Sequence, residues 1–163
     1  MTTEVASSEP EVVAPVASGA RLESGGIFSD CYKGLHATGE PEKDVTRLGL
    51  VCGPVEGMRR AIDTPFEGAI SAGGAELDFP IALSKGACYR VFVAADSESL
   101  TLDVSIVSGH GIPVATASSR SGLAIIAPDR PFCALGTDEA TVRVGATQGS
   151  GRFALDIWAI GAP

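Results

Sequence analysis

The stretch that most limits what this chain can fold into is Ala87–Val107, ACYRVFVAADSESLTLDVSIV. Tyr89, Val91 and Val93 alternate with Cys88, Arg90 and Phe92. After an acidic break, Leu100, Leu102, Val104 and Ile106 alternate with Thr101, Asp103 and Ser105. Successive side chains of a β-strand point to opposite sides of the sheet. A strict period of two over this length therefore describes strands with one buried face. Asp96-Ser97-Glu98-Ser99 is turn chemistry, because such short polar side chains bond their own backbone. The stretch reads as a central β-hairpin.

The pattern extends on both sides. Phe66–Ser71 and Ala75–Leu83 read as strands across a Gly73-Gly74 turn, with Leu77, Phe79, Ile81 and Leu83 on one face. Pro80 has no N–H to give to a ladder, so the second of these belongs at an edge or at a bulge. Ile112–Ala117, Leu123–Ala127 and a short irregular Pro131–Leu135 follow. Thr141–Ala146 is expected to pair across 147–151 with Arg152–Ile160, where Phe153, Leu155 and Ile157 oppose Ala154, Asp156 and Trp158. Short strands broken by turns every 8–12 residues or so make an all-β antiparallel sandwich over residues 65–163. Phe92, Leu102, Val104, Leu155 and Ile157 are expected in one core between its two sheets.

The first 64 residues differ. Residues 1–26 are rich in Ala, Ser, Pro, Glu and Val, with no aromatic residue. Such a segment buries too little apolar surface to offset its ordering entropy, so it reads as a disordered tether. A partner-binding peptide around Val12–Val16 is the alternative. Residues 27–64 read as a stapled segment with a short helix over Val45–Val51, capped by Asp44 and stopped at Gly53-Pro54. Val45, Leu48 and Val51 or Cys52 then share a face. Gly49 weakens that helix, and Gly57–Arg60 reads as a turn.

Twenty acidic and twelve basic residues give a net charge of −8, spread evenly along the 163-residue chain. Nothing resembles a basic stripe, so neither nucleic acid nor an anionic membrane is the expected partner. Apolar runs reach about six residues, far short of the roughly 20 that a spanning helix needs. Met1-Thr2-Thr3-Glu4 has neither the basic start nor the apolar core of a signal peptide.

Cys31, Cys52, Cys88 and Cys133 are separated by 21, 36 and 45 residues, with no C-x-x-C pair. Disulfides are therefore favoured over zinc, and three connectivities are open. Sequential pairing, Cys31–Cys52 and Cys88–Cys133, keeps each bond within one unit. Each would be worth roughly 3–4 kcal/mol in loop-closure models. The contrary reading is a set of buried thiols in a cytosolic protein. Disulfides imply a periplasmic or extracellular location, with a signal or lipidated cysteine upstream as the expected route.

Residues 66–160 resemble the bacterial pre-peptidase C-terminal domain. The likeness runs from Leu77–Leu83 through Lys85-Gly86 to Cys88–Val93, then Leu102–Ile106, Pro113-Val114-Ala115 and Gly151–Ile157. It implies a secreted sandwich of jelly-roll-like topology, of a kind appended to extracellular proteins and used for binding rather than chemistry. Cys31–Gly34 and Leu50–Pro54 are similar to leader segments of myxobacterial-type lipoproteins, which implies a lipid anchor in the precursor.

Few residues suggest chemistry. His110, between two glycines, would need a nucleophilic serine and an orienting carboxylate to act in a hydrolase. Ser108, Ser119 and Ser121 are close in sequence, but G-x-S-x-G is lacking. Asp96, Glu98 and Asp103 offer oxygen ligands for Ca²⁺, without the spacing of an EF-hand, so a solvated turn is favoured and no cofactor is expected. Trp158 and Tyr89 read as sheet-face packing rather than a sugar platform. The expected contact surface is the loop set holding Asp96, Glu98 and His110. The favoured function is a non-enzymatic binding or structural module that contacts an envelope component or protein. A small hydrolase using His110, or a cytosolic assembly or cargo protein, stands against it.

Overall fold

The computed structural model describes residues 31–53, 57–126 and 131–161. The expected tether over residues 1–26 and the Val12–Val16 peptide lie outside them. Helix α1 spans Pro41–Cys52. The strands are β1 (Arg59–Arg60), β2 (Phe66–Ser71), β3 (Leu77–Leu83), β4 (Cys88–Ala95), β5 (Thr101–Val107), β6 (Pro113–Ser118), β7 (Leu123–Ile126), β8 (Phe132–Cys133), β9 (Asp138–Gln148) and β10 (Ser150–Ile160).

They form two antiparallel sheets. In the first, β10 pairs with β4 on one side and with β2 and β1 on the other, and the far side of β4 carries β7 and β8. The second runs β3-β9-β5-β6. Leaving out the two-residue strands, the first strand pairs with the last, the second with the last but one, and so inward to β5 with β6. This is a long two-stranded ribbon wrapped over itself, the jelly-roll arrangement. Pro80 sits on β3, an edge strand, where its missing donor costs no ladder bond.

Three expected connections are corrected by this topology. β4 and β5 are not a hairpin, because they lie in different sheets, and 96–100 is a corner between layers. The same holds for β9 and β10, which part at Gly149 with φ +79°. A Cβ there would lie 2.6 Å from the Ser99 carbonyl oxygen, so only glycine fits that corner. The β2–β3 connection is likewise a crossing, and β5–β6 is the sequential strand pair that does form a ladder. Alternation says which face a strand buries, not which strand lies beside it.

The core between the sheets is built as the alternation requires. Tyr89, Val91, Val93, Leu102, Val104, Ile106, Val142, Val144, Phe153, Leu155 and Ile157 all lie within it. Phe92 does not. Its parity is opposite to that of Val91 and Val93, and it joins a second cluster with Ala94, Ile125, Ala154 and Trp158 beneath Val45 and Leu48 of α1. β4 and β10 are thus buried on both faces.

α1 begins earlier than expected, at Pro41 in its first turn, where the missing N–H is no loss. Asp44 lies inside the helix instead of capping it. Its carboxylate accepts from the backbone N–H and hydroxyl of Thr38 (2.7 and 2.8 Å) and from Arg47 (3.1 Å), so it folds the preceding loop back onto the helix. Gly49 and Gly53 form the seat on Trp158: a Cβ at either position would fall inside van der Waals contact with the indole. The glycine that weakens the helix is thus what lets it dock.

A charged group is built into the same seam. Asp156 is fully buried beneath α1 and accepts from Arg60 Nε (2.9 Å), Trp158 Nε1 (3.1 Å) and its neighbour's N–H at Ile157 (3.0 Å). Arg60 also reaches the Thr46 hydroxyl at 3.4 Å. Arg59-Arg60, expected as a turn, is therefore a short strand that delivers a guanidinium to a carboxylate 96 residues away. Arg90 lies on the same face, opposite Trp158 in the ladder, and is 1% exposed.

Two stability outcomes follow from this packing. Leu102→Ala should cost about 2–5 kcal/mol in chemical denaturation, and Thr101→Ala little, because only the first empties a packed site. Equal costs would place the register of β5 one residue out. Arg60→Ala should cost about 3 kcal/mol by stranding the Asp156 carboxylate, while Arg59→Ala stays within about 0.5 kcal/mol.

Candidate functional site

Both disulfides form as the sequential pairing requires. Cys31–Cys52 joins the start of the described chain to the last residue of α1, with Cα atoms 5.3 Å apart. Cys88–Cys133 links residues directly opposite one another on β4 and β8, with Cα atoms 3.9 Å apart. No cysteine is left free. Two disulfides indicate an oxidising, extracytoplasmic setting. Among the described residues no helix is long and apolar enough to cross a membrane.

The expected loop set is divided between the two ends of the molecule. The 96–100 corner precedes β5, and the turn holding His110 follows it. Seven residues of strand, about 23 Å, separate them. At the first end, Asp96 accepts from the Arg152 N–H at 2.9 Å and faces its guanidinium at 3.7 Å. Glu98 meets His36 instead, at 3.8 Å, with both side chains exposed. Ala37 packs against Gly122 in the adjoining tight turn, where Ser121 has φ 52°.

At the other end, Ser108 Oγ accepts from the N–H groups of His110 and Ile112, and Asp138 accepts from the Gly109 N–H at 3.0 Å. These groups tie down the turn. Among the described residues no serine or carboxylate side chain bonds the His110 imidazole. Ser119 is buried and serves the backbone of β5, accepting from the Leu102 N–H at 2.8 Å.

The carboxylates weighed for Ca²⁺ do not converge. Asp103 projects from the outer face of the second sheet and accepts from Ser118 Oγ at 2.5 Å, while Asp96 is engaged at the corner. Among the described residues no cluster of three potential metal ligands occurs. Trp158 and Tyr89 are both buried, the first under α1 and the second in the inter-sheet core, where its hydroxyl accepts from the Ser84 N–H at 2.8 Å.

The surface that the structure adds is the outer face of the second sheet. Outward positions of four strands align in rows: Asp78, Arg143, Ser105 and Thr116 in one, and Gly145, Asp103 and Ser118 in the next. Arg143 holds Asp78 with both ends of its guanidinium (2.8 and 3.0 Å) and has Glu76 at 3.4 Å. Glu76 in turn folds over Gly145. Glu76, Asp103, Ser105, Thr116, Ser118 and Arg143 line a groove of about 310 Å³. None of these except Asp103 stood out in the sequence. The available signal was parity: each strand residue among them has the phase opposite to the core residues of its strand.

No family model matches the chain, and no curated protein matches it.

The bidentate hydrogen bond from Arg143 holds the Asp78 carboxyl below the ordinary aspartate range, and the same pairing raises Arg143. A carboxylate depressed in the folded state stabilises it above the unfolded value of about 3.9 and loses that contribution as pH falls through the lower folded value. Carbon-detected NMR titration should show a low Asp78 midpoint that rises in Arg143→Ala. An unchanged midpoint would mean that the pair does not hold in solution.

Proposed function

We propose that this chain is a non-enzymatic, extracytoplasmic sandwich that acts as a binding or structural module at the cell envelope. One observation carries the reading: the two outer sheet faces are treated differently. α1 roofs β4 and β10 of the first sheet, seated on Trp158 through Gly49 and Gly53, with Arg60 of β1 bonded both to the buried Asp156 and to Thr46 of the helix. Among the described residues no element covers the outer face of the second sheet, which carries fixed polar groups over a shallow groove. A domain that covers one face with a packed helix, and keeps the other polar and pre-arranged, is suited to contact rather than turnover. The resemblance to pre-peptidase C-terminal domains points the same way, and a lipid-anchored precursor is part of the proposal.

Of the polar side chains weighed for chemistry, Ser108 and Asp96 build a turn and a corner, and Ser119 serves the backbone of β5. Catalysis requires such groups to meet in a cleft with tuned protonation.

The test joins location with activity. Protein taken from its native host should fractionate with the envelope, and should give linked peptides for both cysteine pairs without reduction. A panel of ester, peptide and glycoside substrates should show no turnover. Four alkylatable thiols would move the protein to the cytosol. Turnover lost in His110→Ala, but kept in an equally folded surface variant, would make it an enzyme.

A further inference from the structure

The geometry points to the groove on the second sheet as a site for a neutral, polyhydroxylated ligand, a glycan chain. The inference rests on the binding-module reading and names the ligand class of its open face.

The groove offers donors and acceptors side by side. Arg143 and the hydroxyls of Ser105 and Thr116 donate, while the Ser118 oxygen, whose proton goes to Asp103, and the carboxylates of Glu76 and Asp103 accept. Sugar hydroxyls do both, so a saccharide can use every lining group at once. The charged groups are already oriented, Arg143 by Asp78 and Glu76, and Asp103 by Ser118. That removes part of the ordering cost that weakens most surface sites. Among the described residues the Ser105 and Thr116 hydroxyls take no hydrogen bond from or to another protein group. They face each other across the β5–β6 ladder.

Charge narrows the ligand further. Glu76, Asp78 and Asp103 outnumber Arg143, and the whole chain carries −8, so an anionic ligand is repelled. A cationic side chain would satisfy the carboxylates but is repelled by Arg143, which has no acceptor to offer it. A neutral hydroxylated chain, donor and acceptor at every hydroxyl, matches the mixture. The aromatic residues weighed as a platform are buried elsewhere, so recognition here is by hydrogen bonds, with a single-chain dissociation constant on the order of 1 mM.

The experiment uses the full oxidised chain, isotope-labelled for amide NMR. It is titrated separately with maltotetraose, chitotetraose, tetragalacturonate and tetralysine. Sedimentation with purified envelope fragments is measured alongside. At least one neutral saccharide is expected to shift the amides of Asp103, Ser105, Thr116, Ser118 and Arg143. Affinity should fall about tenfold in Arg143→Ala. It should be abolished by Ser105→Tyr, which fills the groove from an outward strand position. Ser105→Tyr should keep the wild-type melting temperature, Arg143→Ala should stay folded and lose no more than its exposed pair with Asp78 contributes, and His110→Ala should bind normally.

Shifts from tetralysine or tetragalacturonate alone would overturn the glycan assignment, as would saccharide shifts that survive both groove variants. Co-sedimentation with envelope and no saccharide shift would overturn this inference and leave the module reading standing. The absence of both would overturn both.

Discussion

Burial of β10 and β4 on both faces is the constraint on which the rest of the molecule depends. Inward, Phe153, Leu155 and Ile157 close the sandwich, and outward, Ala154, Asp156 and Trp158 receive the helix. A sheet with water on one side needs only one apolar face. A sheet with two needs a lid, and the chain supplies it from the 41–52 helix. The lid then needs its own anchorage, because a short helix with a glycine in it has little stability alone. Glycines fitted to an indole provide that anchorage, a disulfide ties the helix end to the segment before it, and Arg60, paired with Asp156, reaches Thr46 of the helix.

The same arrangement explains why charge is found where alternation alone would place solvent. Asp156 occupies an outer position of its strand, yet it is fully buried with three donors around it. A buried carboxylate paired in this way adds little net stability over apolar packing, but losing its partner is costly, so it penalises any chain path that carries Arg60 away from Asp156. Arg60 arrives from an otherwise exposed two-residue strand, so the pair also fixes the path of the chain between helix and sandwich.

The two outer faces diverge for this reason. Once the helix is committed to the first sheet, the second keeps its polar outer rows, and cross-strand pairing orders them into Asp78–Arg143 and Asp103–Ser118. The loops at the ends of the sandwich are mostly occupied in closing corners. The proposed ligand-facing surface therefore lies on strands, which position side chains more rigidly than loops do.

Alternation by itself determined the long strands, most of their buried phases and the all-β class; the cysteine spacing favoured disulfides over zinc, and the structure selected the sequential pairing from the three open to it. Pro80 declared its edge position through the donor it lacks. These are local properties, fixed by the period of the backbone or by one residue's chemistry. The tertiary structure decided what alternation leaves open: which strand lies beside which. Asp96–Leu100 and Gly149 looked like hairpin turns but are crossings between sheets, because a turn sequence reverses the chain without specifying the layer it re-enters. That misreading put His110 beside Asp96 and Glu98, when a whole strand separates them. It also hid the row through Asp78, Arg143, Ser105 and Thr116, whose members come from four strands spread between residues 77 and 148. Trp158 had the correct phase from the sequence, while Phe92, expected in the inter-sheet core, shares that outward phase. Whether that phase met water or a helix was settled only when α1, some forty residues or more away in the chain, folded onto the sheet.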